Sequence, residues 1–395
     1  MQHVREWNHQ RVGSLLAVAA ISALGLGSVA NGQTFGDPLG GLTAEQLALF
    51  EAGKLEFEEV DDEEEGLGPT FNGRSCVECH SQPAVGGSSA TNEVRAGQLI
   101  NGTFVNLPGG SLFQIDAIRR KCREVVPPEA NVITKRQTQP LFGMGLIEAI
   151  PEALIRAQAD PNDENGDGIS GRAATVFDPA TNRMRLGRFG WKAQVASLLA
   201  FSGDAYLNEM GITNDLFPTE EAPNGDIALL AACDHVPDPE DERDPETGRR
   251  GIDDFENFMR LLGPPPPGPI TLAVAAGATY FVGIGCGKCH TPVLVTGSNV
   301  IPALNLKLVP LYSDLLLHDV GTGDGIPQGD AGPNEIRTAP LWGLRASSPF
   351  LHDGSAPTIK EAILRHDGEA RAVINKFRSL SGTEQDLLIT FLKSL

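Results

Sequence analysis

Two segments of this chain share one frame. Residues 71–80 read FNGRSCVECH and residues 281–290 read FVGIGCGKCH, both Phe-x-Gly-x-x-Cys-x-x-Cys-His, offset by 210 positions. Cys-x-x-Cys-His is the covalent attachment sequence for c-type haem. Two thiols on one turn add to the vinyl groups, and the following histidine turns its imidazole under the iron. Zinc would call for further Cys or His at finger spacing, and thioredoxin-like chemistry does not call for the histidine. The pattern therefore predicts two covalent haems: Cys76, Cys79 and His80 for haem 1, and Cys286, Cys289 and His290 for haem 2. An Ala-Gly pair lies in the helical segment before each motif, Ala52-Gly53 and Ala276-Gly277, as expected where helices pack closely near a haem edge.

The start of the chain agrees with that chemistry. Arg5 and Arg11 precede an uncharged stretch from Val12 to Val29, and Ser28-Val29-Ala30 has small residues where a signal peptidase reads. Residues 1–30 are predicted to be a secretory signal, because the apolar part is shorter than the roughly 20 residues a membrane span needs. The expected location is periplasmic or otherwise exported, with no membrane span in the mature chain. Six cysteines are present; two, Cys122 and Cys233, are not claimed by haem. In an oxidising compartment they are expected to pair.

Lys plus Arg number 31 against 51 Asp plus Glu, a net charge of -20, which disfavours nucleic acid or an anionic membrane as partner. A length of 395 residues favours two domains. Residues 42–58 carry a Thr-x-x-Gln start and helical apolar spacing. Segments 270–281, 358–366 and 383–394 also read as helices. The acidic run from Glu58 to Glu65 reads as a solvated loop or a docking site for a basic partner, and 237–251 as a polar loop. The Pro-rich spacer 263–269 is the best boundary. The expectation is a mainly α protein with long irregular loops and weak β signals: residues 31–262 with haem 1, and 270–395 with haem 2.

The remaining side chains bear on the sixth iron positions. Outside the signal, His235, His318, His352 and His366 remain, and no histidine lies between 81 and 234. Haem 1 thus has no nearby distal histidine in sequence. His366 stands at the end of a helical segment and is the favoured second ligand of haem 2. Met144, in Gly-Met-Gly, reads as a core filler or a distal ligand.

The stretches GLGPTFNGRSCVECHSQPAVGG, LFGMGLIEAIPE, ADPNDENGDGISGR, GRFGWKA, SDLLLHDVG and RTAPLWGLRASSPFLHDGSAPTIKEAILRHDGEA resemble the di-haem oxidoreductase family often labelled thiol oxidoreductases. More remotely the chain is similar to bacterial di-haem cytochrome c peroxidases and their relative that matures tryptophan tryptophylquinone. The resemblance implies two cytochrome c-like domains with haems facing across their interface, one peroxide-reactive and one passing electrons. It puts the second haem's distal ligand fourteen residues after His352-Asp353-Gly354, at His366. It implies an acid–base carboxylate at Glu209, beside Met210, and an aromatic between the haems at Trp191, or Phe189. His318, in Ser-Asp-Leu-Leu-Leu-His-Asp, falls in a family segment and either bonds a haem propionate or approaches an iron.

Calcium is a further expectation. Residues 163–168, DENGDG, resemble half of a calcium loop with Asp163, Asn165, Asp167 and Gly168, but Ala174 stands where the bidentate Glu belongs. Relatives hold calcium through main-chain groups at positions matching Ser347 and Pro349. The predicted activity is peroxide reduction fed by an electron-donor cytochrome or other redox protein. The alternatives are a non-catalytic electron carrier, or an enzyme that oxidises a partner protein or small substrate.

Overall fold

The computed structural model describes residues 33–395; the predicted signal, 1–30, lies outside the described residues. About 33% of the chain is helical and 15% strand, with irregular loops between. None of the described helices is long and apolar enough to cross a membrane.

Each Cys-x-x-Cys-His sits beside a pair of crossing helices. In the first half Ala44–Glu58, started by a Thr43–Gln46 capping box, packs on Gly251–Leu261. A Cβ at Gly53 would overlap the carbonyl oxygen of Asp254, so only glycine allows this approach. Four residues on, Phe57 meets Phe258 at 4.8 Å and the His80 ring at 5.9 Å. In the second half Leu272–Ile284 packs on Gly382–Leu392. There a Cβ at Gly277 would overlap the carbonyl of Leu387. Again four residues on, Phe281 meets Phe391 at 5.2 Å and His290 at 6.4 Å. Spacing of four puts glycine and phenylalanine on one helix face, so the helix backbone closes in and the ring then covers the histidine.

The repeat in space thus departs from the repeat in sequence. Phe57, not Phe71, is the counterpart of Phe281. Phe71 lies in a two-residue strand, Thr70–Phe71, paired with Asp116–Ala117. The longer connection between helix and motif in the first half moves its aromatic fourteen residues upstream of the shared frame.

The weak β signals conceal a four-stranded antiparallel sheet. Asn92–Ile100 pairs with Thr103–Val105, Leu112–Phe113 and Val132–Gln137. Cys122 and Cys233 form the expected disulfide, 111 residues apart, tying this region to the helix Ile227–Cys233. One apolar core runs from Leu39 to Leu262 and also takes in Leu294 to Leu316; a second joins Val274, Phe281, Phe377 and Phe391.

Candidate functional site

The first motif forms a short helix, Cys76–Cys79, at the edge of a cavity of about 210 Å³. His80 Nδ1 donates to the Gly87 carbonyl at 2.9 Å. Removal from water lowers its pKa to about 4, against the pull of the Gly87 and Gln139 carbonyls, so the ring is neutral. His80 is the one histidine lining this cavity; Met210 and Met259 also line it. Glu209, half-buried on the helix Leu198–Met210, lines the same cavity. Asn72 Nδ2 donates to its Oε2 at 2.7 Å. Burial, then the nearby Glu93 carboxylate, raise Glu209 to about 7, against the pull of Asn72 and Arg95.

The second motif opens on a cavity of about 310 Å³. His290 Nδ1 donates to the Tyr312 carbonyl at 3.1 Å, and burial again lowers its pKa to about 4. His366, which follows the helix Ile359–Arg365, lines the same cavity and donates Nδ1 to the Ala362 carbonyl at 2.7 Å. His80, His290 and His366 therefore share one anchor, Nδ1 donating to a main-chain carbonyl.

His318 differs. It is 3% exposed, with Nε2 3.0 Å from Asp314 and Nδ1 2.8 Å from Glu369. Burial opposes its charge, but these carboxylates and the Cys289 thiol outweigh burial and push the pKa up to about 12. Both nitrogens are engaged, so His318 contributes an imidazolium to the cavity wall beside Cys289, not a lone pair.

Trp191 lines both cavities, as do Gln137, Thr138 and Gln139. Its Nε1 donates to the Gln137 carbonyl at 2.8 Å, and its ring meets His352 edge-on at 6.2 Å. Phe189 and Met144 are buried in the core and line the second cavity only. Ser347 and Pro349 line that cavity too. In the DENGDG loop, Asp163 accepts from the amides of Asp167 and Gly168, and Lys288 pairs with Asp167 at 2.8 Å.

Several groups escaped the sequence reading. Arg136 is 2% exposed, bonded to Asp324 at 2.7 Å, and its Nη2 has no partner. Lys192 pairs with the same Asp324 at 3.0 Å. Ser75 Oγ, lining the first cavity with Arg136, and His352 Nε2, lining the second, are likewise buried without partners. Asp324, the partner of Arg136 and Lys192, lies far off in sequence, so no spacing announced that cluster.

These observations fit haem in both cavities. Each has two thiols, an anchored neutral histidine and apolar walls, and orphaned polar atoms suited to propionates. Burial raises Cys76 far above the usual range, Cys79 to about 11 and Cys286 to about 12, as enclosure in an apolar cavity does to a thiol.

Residues 126–395 match the family described as "Di-haem oxidoreductase, putative peroxidase", a match that begins after the first motif. No curated protein matches the chain. Among solved structures, hydrazine synthase of Kuenenia stuttgartiensis is similar at 15% identity, over 93% of this chain and 97% of that one, with TM-score 0.40. A MauG-like protein associated with microbial copper homeostasis is similar at 15% identity, over 93% and 94%, with TM-score 0.41. The di-haem peroxidase BthA of Burkholderia thailandensis is similar at 13% identity, over 91% and 86%, with TM-score 0.41.

Proposed function

The chain belongs to the di-haem oxidoreductase family, and from that premise we propose an exported c-type enzyme of peroxidase type, with unlike roles for its two haems. In this reading residues 31–262 and 270–395 are two cytochrome c-like domains, joined by 263–269. Cys76, Cys79 and His80 would hold haem 1, and Cys286, Cys289, His290 and His366 would hold haem 2. The observation that carries the proposal is the asymmetry of the cavities: His290 faces a space shared with His366, whereas His80 faces one whose other wall carries Glu209.

When bound, the haems would supply one electron each toward the two-electron reduction of a peroxide. The chain's own part is proton handling and orientation. Glu209, raised to about 7, can take a proton from the inner peroxide oxygen and return it to the outer one, so that water leaves. Asn72 holds one Glu209 oxygen through a hydrogen bond from its side-chain amide. Trp191, anchored to the Gln137 carbonyl, would fill the wall between the haems. A cytochrome or another redox protein would deliver electrons on the haem 2 side.

The test is a spectrum of the oxidised, purified protein beside its mass. Two covalent haems are expected, one high-spin and one low-spin, with the high-spin signal responding to peroxide. Two low-spin irons in either redox state, inert to peroxide, would make the protein an electron carrier instead.

A further inference from the structure

Outside both cavities, four carboxylates converge. Oxygens of Glu220, Asp234, Asp238 and Glu240 all lie within 4.8 Å of one another. Different elements bring them together. Asp234 caps the helix Ile227–Cys233, one residue after the bridged Cys233. Asp238 and Glu240 lie at the start of the 237–251 loop, which Thr213 holds in place. Its amide donates to Glu240 at 2.6 Å, its hydroxyl also reaches Glu240, and that hydroxyl lies 3.2 Å from Asp238. Glu220 reaches in from the other side.

Glu220 distinguishes this cluster from an ordinary acidic patch. It is 9% exposed; one oxygen accepts from the Glu221 amide at 2.9 Å, and Oε2 is buried with no partner. A buried carboxylate oxygen without a partner is costly, and three more carboxylates beside it add to the cost. Among the described residues none of the four pairs with a lysine or arginine. The nearby cations are otherwise engaged: Arg119 donates to the Cys233 carbonyl and Lys121 to that of Ala232.

We propose that Glu220, Asp234, Asp238 and Glu240 form a calcium site that staples the 237–251 loop to the disulfide-linked helix. An all-oxygen, strongly anionic set selects a hard cation. Calcium–oxygen distances of about 2.3–2.6 Å put oxygens on opposite sides of the ion up to about 5 Å apart, which accommodates this spread. Carboxylates on irregular loops tolerate calcium's variable coordination better than the strict octahedron magnesium demands. The site does not involve the haems.

Calorimetric titration of chelator-stripped protein with calcium chloride tests this. One calcium per chain is expected, with the melting temperature raised. Glu220→Gln and Asp238→Asn should each weaken binding at least about tenfold, since each removes one anionic ligand. Both haem spectra and the Cys122–Cys233 bridge should persist as evidence of folding. No binding at millimolar calcium would overturn the proposal. So would binding that survives both substitutions, or binding abolished instead by Asp163→Asn in the DENGDG loop. Should the variants fail to fold, proteolysis of the unaltered protein decides: calcium must slow cleavage within 237–251, and equal rates with and without it would refute the site.

Discussion

A histidine's second nitrogen decides what its first can do. His366 anchors through Nδ1 as His80 and His290 do, whereas His318 has carboxylates on both sides. Removing His366 should therefore matter to the iron and removing His318 should not. His366→Ala is expected to convert the low-spin signal of haem 2 to high-spin while both haems stay attached, because the iron loses a strong-field ligand. An unchanged electron paramagnetic resonance spectrum would refute the assignment. Glu209→Gln keeps shape and hydrogen bonding but cannot shuttle a proton, so peroxide turnover should fall about 10²–10⁴-fold while peroxide still binds. Glu209 is raised from its ordinary value to about 7, so its ionised form is costlier folded than unfolded. Its contribution to stability is full below pH about 4.5 and is lost as pH rises through about 7. A limb of the pH–turnover profile near 7 should accompany it and vanish in the glutamine variant. The cavity-lining places of the motif thiols and histidines, of His366 and of Glu209 follow residues named from the motif and the resemblance. Arg136, Arg95 and Glu93 were not legible, because the sheet that brings them to the cavity joins positions whose charges give no local pattern.

At the scale of elements, the paired glycines make a sharp test. Alanine is the better helix former by roughly 0.8–1.0 kcal/mol. At Gly277 that gain meets the Leu387 carbonyl, and overpacking costs typically about 1–3 kcal/mol. Gly277→Ala should therefore be net destabilising. Gly283, exposed on the same helix with nothing within 4 Å of an added Cβ, should tolerate alanine or gain from it. Chemical denaturation of the two variants checks the sign of each. Of the four helices around the motifs, three were readable from periodicity and caps, and Gly251–Leu261 was not. The sheet was not, since Asn92–Ile100 buries three consecutive central residues and leaves both ends partly exposed, which erases the alternation that announces a strand. Nor was the true partner of Phe281, because insertion between helix and motif displaced it from the shared frame.

For the whole molecule, the Cys122–Cys233 bridge spans 111 positions and joins the sheet region to the acidic loops. In the chain-entropy model a loop of this length stabilises by roughly 4–5 kcal/mol. Cys122→Ser with Cys233→Ser should lower the denaturation midpoint accordingly without changing haem content. Two alkylatable thiols in the unreduced, denatured protein would show instead that the bridge does not form. Composition anticipated the pairing, since only these two cysteines lie outside the haem motifs.

Trp191 and residues 137–139 form a party wall between the two cavities, and each cavity also borrows across the Pro-rich spacer. Gln328 closes the first, while Phe142, Met144 and Trp191 close the second. Dividing the chain at the spacer would therefore separate residues that line one cavity. A fragment ending at 263 would keep Cys76, Cys79 and His80 yet lose part of their enclosure, and its complement would expose the apolar face around His290 to water. Each fragment alone would lack part of the lining its haem cavity has in the whole chain.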